Sequence, residues 1–513
     1  MALNTSLKII ELGVKLANVI ILSGGLNKPP QIPQLRRSLG PYRIASELNK
    51  EGYTSVVIDH IQYLSEEEII SAIKPHVDEN TLWMGFSSTF FFAGKSPLTA
   101  LEKLYQNIPY EKITSIFNYV KDNSKAKIVY GGAYALFPPA DPNVDYYVAG
   151  YADVSIINLT KHLHKGEPLL SYKEITIEDK QSIVIDSGKY PEPEMNNIET
   201  FWHEDSFNLL PNEPVPLEFA RGCIFKCKFC NYPLLGKKKG TYIRDMEQVK
   251  DEMIKLWETK GTDTFYMTDD TFNDDNEKME DFHKLFTSLP FKPKFSAFLR
   301  LDLINKFPHQ ADLLLEAGLI GNFFGIETFN WQSAKAIGKG LHPDKVKARL
   351  SWVADKWKNK VNIGVGLIIG LPYDDEKYFE ELYNYVTSDE YPADHTVYNP
   401  LHIYDQRRGV SLYGSEFSMK PEIYGYKFYE NGLWYHEEQK IDFNRCKQVA
   451  DFLSTTQFNK NKISEFTMIT YLGLGVKLED LLTKTESEIN AMYDFPKLNH
   501  EQLMQYKTMI GAI

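Results

Sequence analysis

Arg221-Gly222-Cys223-Ile224-Phe225-Lys226-Cys227-Lys228-Phe229-Cys230 holds three of the four cysteines in a chain of 513 residues. The fourth, Cys446, lies far downstream. Thiolates gathered this tightly suit an iron–sulfur cluster or zinc, because both favour the soft sulfur ligand. A closed structural zinc site needs a fourth ligand. The nearest candidate, His203, precedes the strand that leads into the motif. A cubane on three cysteines keeps one iron without a protein ligand, and that iron is free to bind something else. The disulfide reading fails on the odd count and the cysteine-poor chain, which point to a reducing cytosol. Three buried, unliganded thiols are the remaining alternative, and their clustering on one basic loop speaks against it.

The flanks of this loop alternate between strands and helices. A strand over 215–220 leads in. A helix opens at Asp245, whose spacing to Gln248 is that of a capping box, and stops at Gly261. Further strands are expected over 264–268, 295–299, 322–326, 361–369 and about 396–404, with helices between them. Six such steps across 213–405 make a partial βα barrel, whose reactive residues sit at the carboxyl ends of strands. Those ends carry Asp269 and Asp270, Arg300 with Asp302, Glu327, and Gly370-Leu371-Pro372. Each has a plain structural reading: an Asx turn and helix cap, an ion pair, a loop cap. Their concurrence in order along the chain points to a ligand site.

The spacing Cys-x3-Cys-x2-Cys, with Phe229 just before the last cysteine, resembles the radical S-adenosylmethionine (SAM) family, and the likeness extends over 213–405. The resemblance implies a 4Fe-4S cluster on Cys223, Cys227 and Cys230. Its open iron would chelate the amino and carboxylate groups of SAM, and one electron would split SAM to a 5′-deoxyadenosyl radical. It also implies that Asp269 and Asp270 hold the SAM ammonium through charge-assisted hydrogen bonds. By the same resemblance Arg300 contacts the SAM carboxylate, Glu327 the ribose hydroxyls, and the stretch 364–372, with Gly370, packs beside the adenine. A one-electron donor such as flavodoxin or ferredoxin and a small-molecule or peptide substrate follow from the same likeness.

Residues 17–165 also alternate, with apolar strands ending in small residues: Gly24 and Gly25, Ser87 and Ser88, Gly131 and Gly132, Gly150. This is the pattern of a doubly wound parallel sheet, which binds ligands beyond its strand carboxyl ends. The half 1–165 resembles the cobalamin-binding domain found ahead of many radical SAM modules. That resemblance implies cobalamin held by Ser87, Ser88, Gly131, Gly132 and Gly150. One departure is plain: Asp59 is followed directly by His60, so the Asp-x-His-x-x-Gly cobalt-ligand motif is absent and a His ligand is not expected.

Residues 166–212 are turn-rich and read as a linker. The tail 406–513 is rich in aromatic residues and helical stretches and reads as an extension covering the open barrel. Cys446, alone, leaves no second cysteine-bound cluster. A net charge of −12 argues against a surface built for nonspecific nucleic-acid binding. The apolar run near residue 20 is strand-length, far short of a membrane span, and a cytoplasmic location is expected. The fold class expected is α/β: a doubly wound sheet, a partial (βα)6 barrel and an α-rich extension. The expected function is methylation of an unactivated carbon by a cobalamin-dependent radical SAM enzyme. The alternatives are a non-methylating radical rearrangement, cyclisation or oxidation, and a non-catalytic iron–sulfur protein.

Overall fold

The computed structural model describes residues 18–25, 35–87, 110–132, 141–232, 234–238, 241–408, 414–456 and 463–513, and Ser88 therefore lies outside the described residues. The chain divides into two compact units. The first is Met1–Val215, Asp251–Thr262 and Phe495–Ile513; the second is Pro216–Lys250 and Asp263–Asp494.

The first unit is built on β1 (Val19–Leu22), β2 (Ser55–Ile58), β3 (Trp83–Ser87), β4 (Lys127–Gly132), β5 (Tyr146–Ala149), β6 (Lys173–Ile177) and β7 (Lys180–Asp186), in the order β2-β1-β3-β4-β5-β7-β6. All pairings are parallel except β6 with β7. The strands β1, β2 and β5 are buried at every position, as expected where helices cover both faces. Helix Glu66–Ile73 starts at a capping box formed by Ser65 and Glu68, and Asp153–Lys165 ends at left-handed Gly166.

Two expectations need correction here. The stretch read as a linker contains β6 and β7, a hairpin whose inner strand Lys180–Asp186 pairs in parallel with β5, Ile183 opposite Tyr146. Burial of Val184 and Ile185 in that strand outweighs the turn-rich flanks. The tail is also not all extension: helix Phe495–Met509 belongs to the first unit. There Tyr506, fully buried, accepts a hydrogen bond from the Asp59 N–H at 2.7 Å and donates to the Asp59 carbonyl at 3.1 Å. The Asp59 carboxylate in turn accepts from Tyr42 at 2.9 Å. Tyr42 accepts from Arg37, whose guanidinium also grips Glu213 at 2.6 and 2.9 Å. In this buried chain Arg37 pairs with Glu213, and the Asp59 carboxylate is held by the Tyr42 hydroxyl and the His60 backbone N–H, which offsets part of its desolvation.

The second unit holds β8 (Val215–Leu217, whose first residue falls in the other unit), β9 (Thr264–Met267), β10 (Lys294–Leu299), β11 (Leu319–Glu327), β12 (Asn362–Ile369) and β13 (His395–Pro400). Their spatial order is sequential, β8 through β13, and the pairs from β9 to β13 are parallel. That is the partial barrel. An aromatic cluster of Phe219, Phe272, Phe282, Phe286 and Phe295 packs the helix Asn276–Thr287 onto the first strands, with Phe272 and Phe282 edge to face at 4.6 Å. The tail adds a small antiparallel sheet, β14 (Tyr426–Phe428), β15 (Trp434–His436) and β16 (Ile441–Asp442), then helices Phe443–Thr455 and Glu465–Gly473.

Candidate active site

The cysteine loop leaves β8 through a fixed bend. Arg221 and Glu218 form a buried bidentate pair at 2.8 and 2.9 Å. Gly222 has φ +105°, and a Cβ there would lie 2.8 Å from the Leu234 carbonyl. Only glycine meets both demands. The returning strand is stitched to the loop by Cys223 N–H to Leu234 O at 2.9 Å and Lys237 N–H to Cys223 O at 3.1 Å. Cys223 is buried, with its sulfur 3.4 Å from the Thr271 hydroxyl, while Cys227 and Cys230 are half-buried. Burial, and after it the negative charge of Cys227 and Asp270, pushes the Cys230 thiol up to about 12. A cationic metal centre reverses that balance and keeps the thiolates ionised. Among the described residues no three His, Cys, Asp or Glu side chains converge as a single metal ion requires.

The acidic pair closing β9 splits into two roles. Asp269 is locked into the fold: Oδ1 accepts from the Phe219 N–H at 2.8 Å and Oδ2 from Lys278 Nζ at 3.0 Å. Lys278 also reaches Asp274 at 3.1 Å, and Tyr242 donates to the other Asp274 oxygen at 2.6 Å. Despite burial, the two carboxylates hold Lys278 charged. The expectation that Asp269 grips a ligand ammonium is thus corrected, since both its oxygens are used within the chain. Asp270 differs. Among the described residues no cation pairs with it, and burial, then the charges of Asp269 and Glu218, push its carboxyl up to about 8. It lacks the positive partner that Asp269 has.

Arg300, at the end of β10, grips Asp302 in a fork at 3.0 and 2.7 Å, stacks over the Phe225 ring at 3.8 Å, and points Nη1 at Cys227 Sγ, 3.5 Å away. Glu327 ends β11 at φ +70°, beside a register shift against β12. A non-glycine residue held there is strained, a feature that collects at functional sites. Burial raises its carboxyl, and Lys339, 3.5 Å away, counters that. Gly370 has a different role from the one expected. A Cβ there would lie 2.7 Å from both Cys446 Sγ and Trp434, so its missing side chain serves packing within the chain. The turn is clamped by buried Asp374, which accepts the Gly370 and Leu371 N–H groups at 3.1 and 3.0 Å and the Ser333 hydroxyl at 2.8 Å.

The inner face of the sheet was not foreseen as a site. Glycines strip it: a Cβ at Gly321 would meet Glu465, at Gly364 the His395 ring, and at Gly366 the Phe323 ring, all within 2.8 Å. His395 Nε2 and Glu465 Oε2 lie 2.7 Å apart at the base. Above them Phe298, Phe323 and Ile368 are half-buried, and Val397 is 39% exposed. The signal available in sequence was the Gly-x-Gly spacing of β12, read as a ligand contact and not as interior clearance. Lys278 and Lys339 were also missed, because nothing local ties a helical or loop lysine to a strand end nine or more residues away.

In the first unit Ser87 stands opposite Gly131, and Gly132 opposite Ala149, at the carboxyl ends of β3, β4 and β5. Gly132 and Gly150 have φ +101° and +94°. Among the described residues a Cβ on Gly131 would come no nearer than 3.7 Å, to the Val148 carbonyl. These strand ends lie beside the point where strand order turns from β1 to β3, the usual ligand position in such sheets. The residues present fit a large planar ligand. His60 does not join them: it is fully buried against Tyr506, with ring centroids 5.2 Å apart.

A three-cysteine loop leaving the first strand of a sequentially ordered parallel sheet, with an acidic pair closing the second, defines the radical SAM class. Residues 217–386 match the Radical SAM superfamily. Cytidylyl-2-hydroxyethylphosphonate methyltransferase of Streptomyces wedmorensis is 23% identical over 359 residues, which is 58% of this chain and 62% of that protein. Among solved structures, the radical S-adenosylmethionine methyltransferase TsrM from Kitasatospora setae, with cobalamin and a 4Fe-4S cluster bound, has a TM-score of 0.60 at 14% identity, covering 95% of this chain and 100% of that one. The cobalamin-dependent S-adenosylmethionine radical enzyme OxsB, with aqua-cobalamin and S-adenosylmethionine bound, has a TM-score of 0.55 at 17% identity, covering 82% of this chain and 57% of OxsB. This chain thus spans less than two thirds of the curated methyltransferase and of OxsB. The structural likenesses bear on the fold: a doubly wound sheet followed by a partial barrel.

Proposed function

We propose that this radical SAM enzyme is a cobalamin-dependent methyltransferase acting on an unactivated carbon of a small-molecule or peptide substrate. One observation carries the reading. A single chain joins a three-thiol loop on a sequential parallel sheet to a doubly wound sheet whose adjoining strand ends are floored by small residues. Cys223, Cys227 and Cys230 would hold the cluster. Asp270 would take the SAM ammonium, whose charge relieves the burial that raises this carboxyl. Arg300 and Glu327 would contact the SAM carboxylate and ribose. Ser87, Ser88, Gly131, Gly132 and Gly150 would floor cobalamin. When bound, these groups supply the electron that splits SAM and the carrier of the methyl group; the chain binds, orients and excludes water.

The inner face supports a substrate with an apolar or planar body resting on Phe298, Phe323 and Ile368 and a polar end toward His395 and Glu465. An external one-electron donor of the flavodoxin or ferredoxin kind would feed the cluster. Among the described residues no helix is long and apolar enough to cross a membrane.

Anaerobic reconstitution with iron and sulfide, followed by spectra with and without cobalamin and SAM, tests the reading. The expected outcome is a cluster spectrum perturbed by SAM, stoichiometric cobalamin, and both 5′-deoxyadenosine and S-adenosylhomocysteine as products. 5′-Deoxyadenosine alone would replace methyl transfer by non-methylating radical chemistry. A cluster indifferent to SAM would overturn the enzymatic reading.

A further inference from the structure

The Arg300 side chain is fixed before any ligand arrives. The Arg300 backbone N–H donates to Asn273 Oδ1 at 2.8 Å, and the Arg300 backbone carbonyl accepts from Asn273 Nδ2 at 3.1 Å. Asn273 is itself fully buried and also donates to Gln310 Oε1 at 3.1 Å. The guanidinium, 7% exposed, is forked onto Asp302 through Nε and Nη2. The flat face of the guanidinium lies on Phe225, and Nη1 meets Cys227 Sγ. Phe225 and Cys227 both belong to the cysteine loop. One planar group therefore joins that loop to the end of β10 by a stacking contact and by an N–H···S contact.

We propose that Arg300 is a positioning residue of the cluster centre that sets its reduction potential through the hydrogen bond to Cys227 Sγ. The inference rests on the cluster reading above and deepens it. A thiolate ligand carries more negative charge when the centre gains an electron. A donor aimed at that sulfur therefore stabilises the reduced state over the oxidised one. Hydrogen bonds to the sulfurs are among the levers that tune such centres. Of the five N–H donors of arginine, two serve Asp302 and one serves sulfur, which leaves two for a cosubstrate carboxylate. Lysine cannot replace the group, because a point charge on a flexible stem neither forks onto Asp302 nor stacks flat on Phe225.

A hydrogen bond to a charged group weighs about a factor of ten in an equilibrium constant. Its loss should change the one-electron equilibrium about tenfold, which is about 59 mV toward more negative potential. The experiment is an EPR-monitored redox titration of the anaerobically reconstituted full chain, as wild type, Arg300→Lys and Arg300→Met, with iron and sulfide measured alongside. The expected result is normal cluster content with a more negative midpoint in both variants. A role confined to holding the loop would lower cluster content and leave the midpoint of the remaining clusters unmoved, which overturns the proposal. If neither variant retains a cluster, wild type grown with 15N-arginine decides. Electron–nuclear double resonance on the reduced centre should show an arginine nitrogen coupling, and its absence refutes the contact. A wild-type chain that binds no cluster removes the functional reading and this inference with it.

Discussion

Replacing Lys278 with methionine tests the internal account of the acidic pair. The ammonium lies 3.0 Å from Asp269 and 3.1 Å from Asp274, with all three side chains at most 1% exposed. Methionine keeps the length of the stem and removes the charge, so the cavity term is small and the electrostatic term dominates. Breaking a buried pair by deleting one partner costs about 3–5 kcal/mol, because the remaining charges stay desolvated. Here two carboxylates remain, and one of them must take up a proton in the folded variant. Its folded pKa then lies above the unfolded value, so stability is lost as pH rises between the two. The deficit relative to wild type should shrink by about 1.4 kcal/mol for each pH unit on going from 7 toward 5. Asp269 Oδ1 also accepts the Phe219 N–H two residues before Arg221, so the damage should spread to the cysteine loop and lower iron uptake. Urea unfolding of the cluster-free chain in reducing buffer, at pH 5, 6 and 7, measures the loss for the second unit. Adding Asp269→Asn and Asp274→Asn, which keep an acceptor for Phe219 and for Tyr242, should restore about half or more of it. A loss below about 1 kcal/mol, or one that does not vary with pH, would refute the reasoning.

Asp270→Asn should weaken SAM binding to the reconstituted protein by roughly 10- to 100-fold, the share of a charge-assisted hydrogen bond, while leaving thermal stability near wild type. Asp269→Asn should do the reverse, and equilibrium dialysis with calorimetry separates the two. Gly222→Ala puts a Cβ 2.8 Å from the Leu234 carbonyl at a left-handed backbone, so it should cost about 1–3 kcal/mol and lower iron content per chain. Burial pushes the Asp374 carboxyl up to about 7, its hydrogen bonds from Ser333, Gly370 and Leu371 notwithstanding. That raised folded value means the stability contributed by this group is full below the ordinary carboxylate range and is lost as pH rises toward 7. Asp374→Asn should remove that slope from a stability–pH profile, and an unchanged slope would count against it.

Much of this was legible from residue order. The cysteine spacing, the small residues ending the first strands and the polar residues ending the later ones all follow from periodicity and from the rule that parallel strands present their carboxyl ends to ligands. What was not legible depends on contacts distant in sequence. Asp269 and Asp270 are chemically identical in the sequence, and only Lys278 and the Phe219 amide tell them apart. The β6–β7 hairpin was read as a linker because its two turn residues, Glu178 and Asp179, adopt φ +45° and +67° without the Asn-Gly signature of that geometry. Glycines 364 and 370 suggested a ligand, whereas one clears room for His395 and the other for Trp434 and Cys446.

The hydrogen bond between Asp59 and Tyr506 joins residues 447 positions apart. The first sheet therefore waits for a residue made 447 positions after Asp59. At roughly 5–20 residues per second, the Arg37–Tyr42–Asp59 network stays without its tyrosine for about 20–90 s of translation. During that interval a nascent-chain chaperone has an unfinished, charge-bearing core to shelter, and a cut that released helix Phe495–Met509 would return the first sheet to the same exposed state.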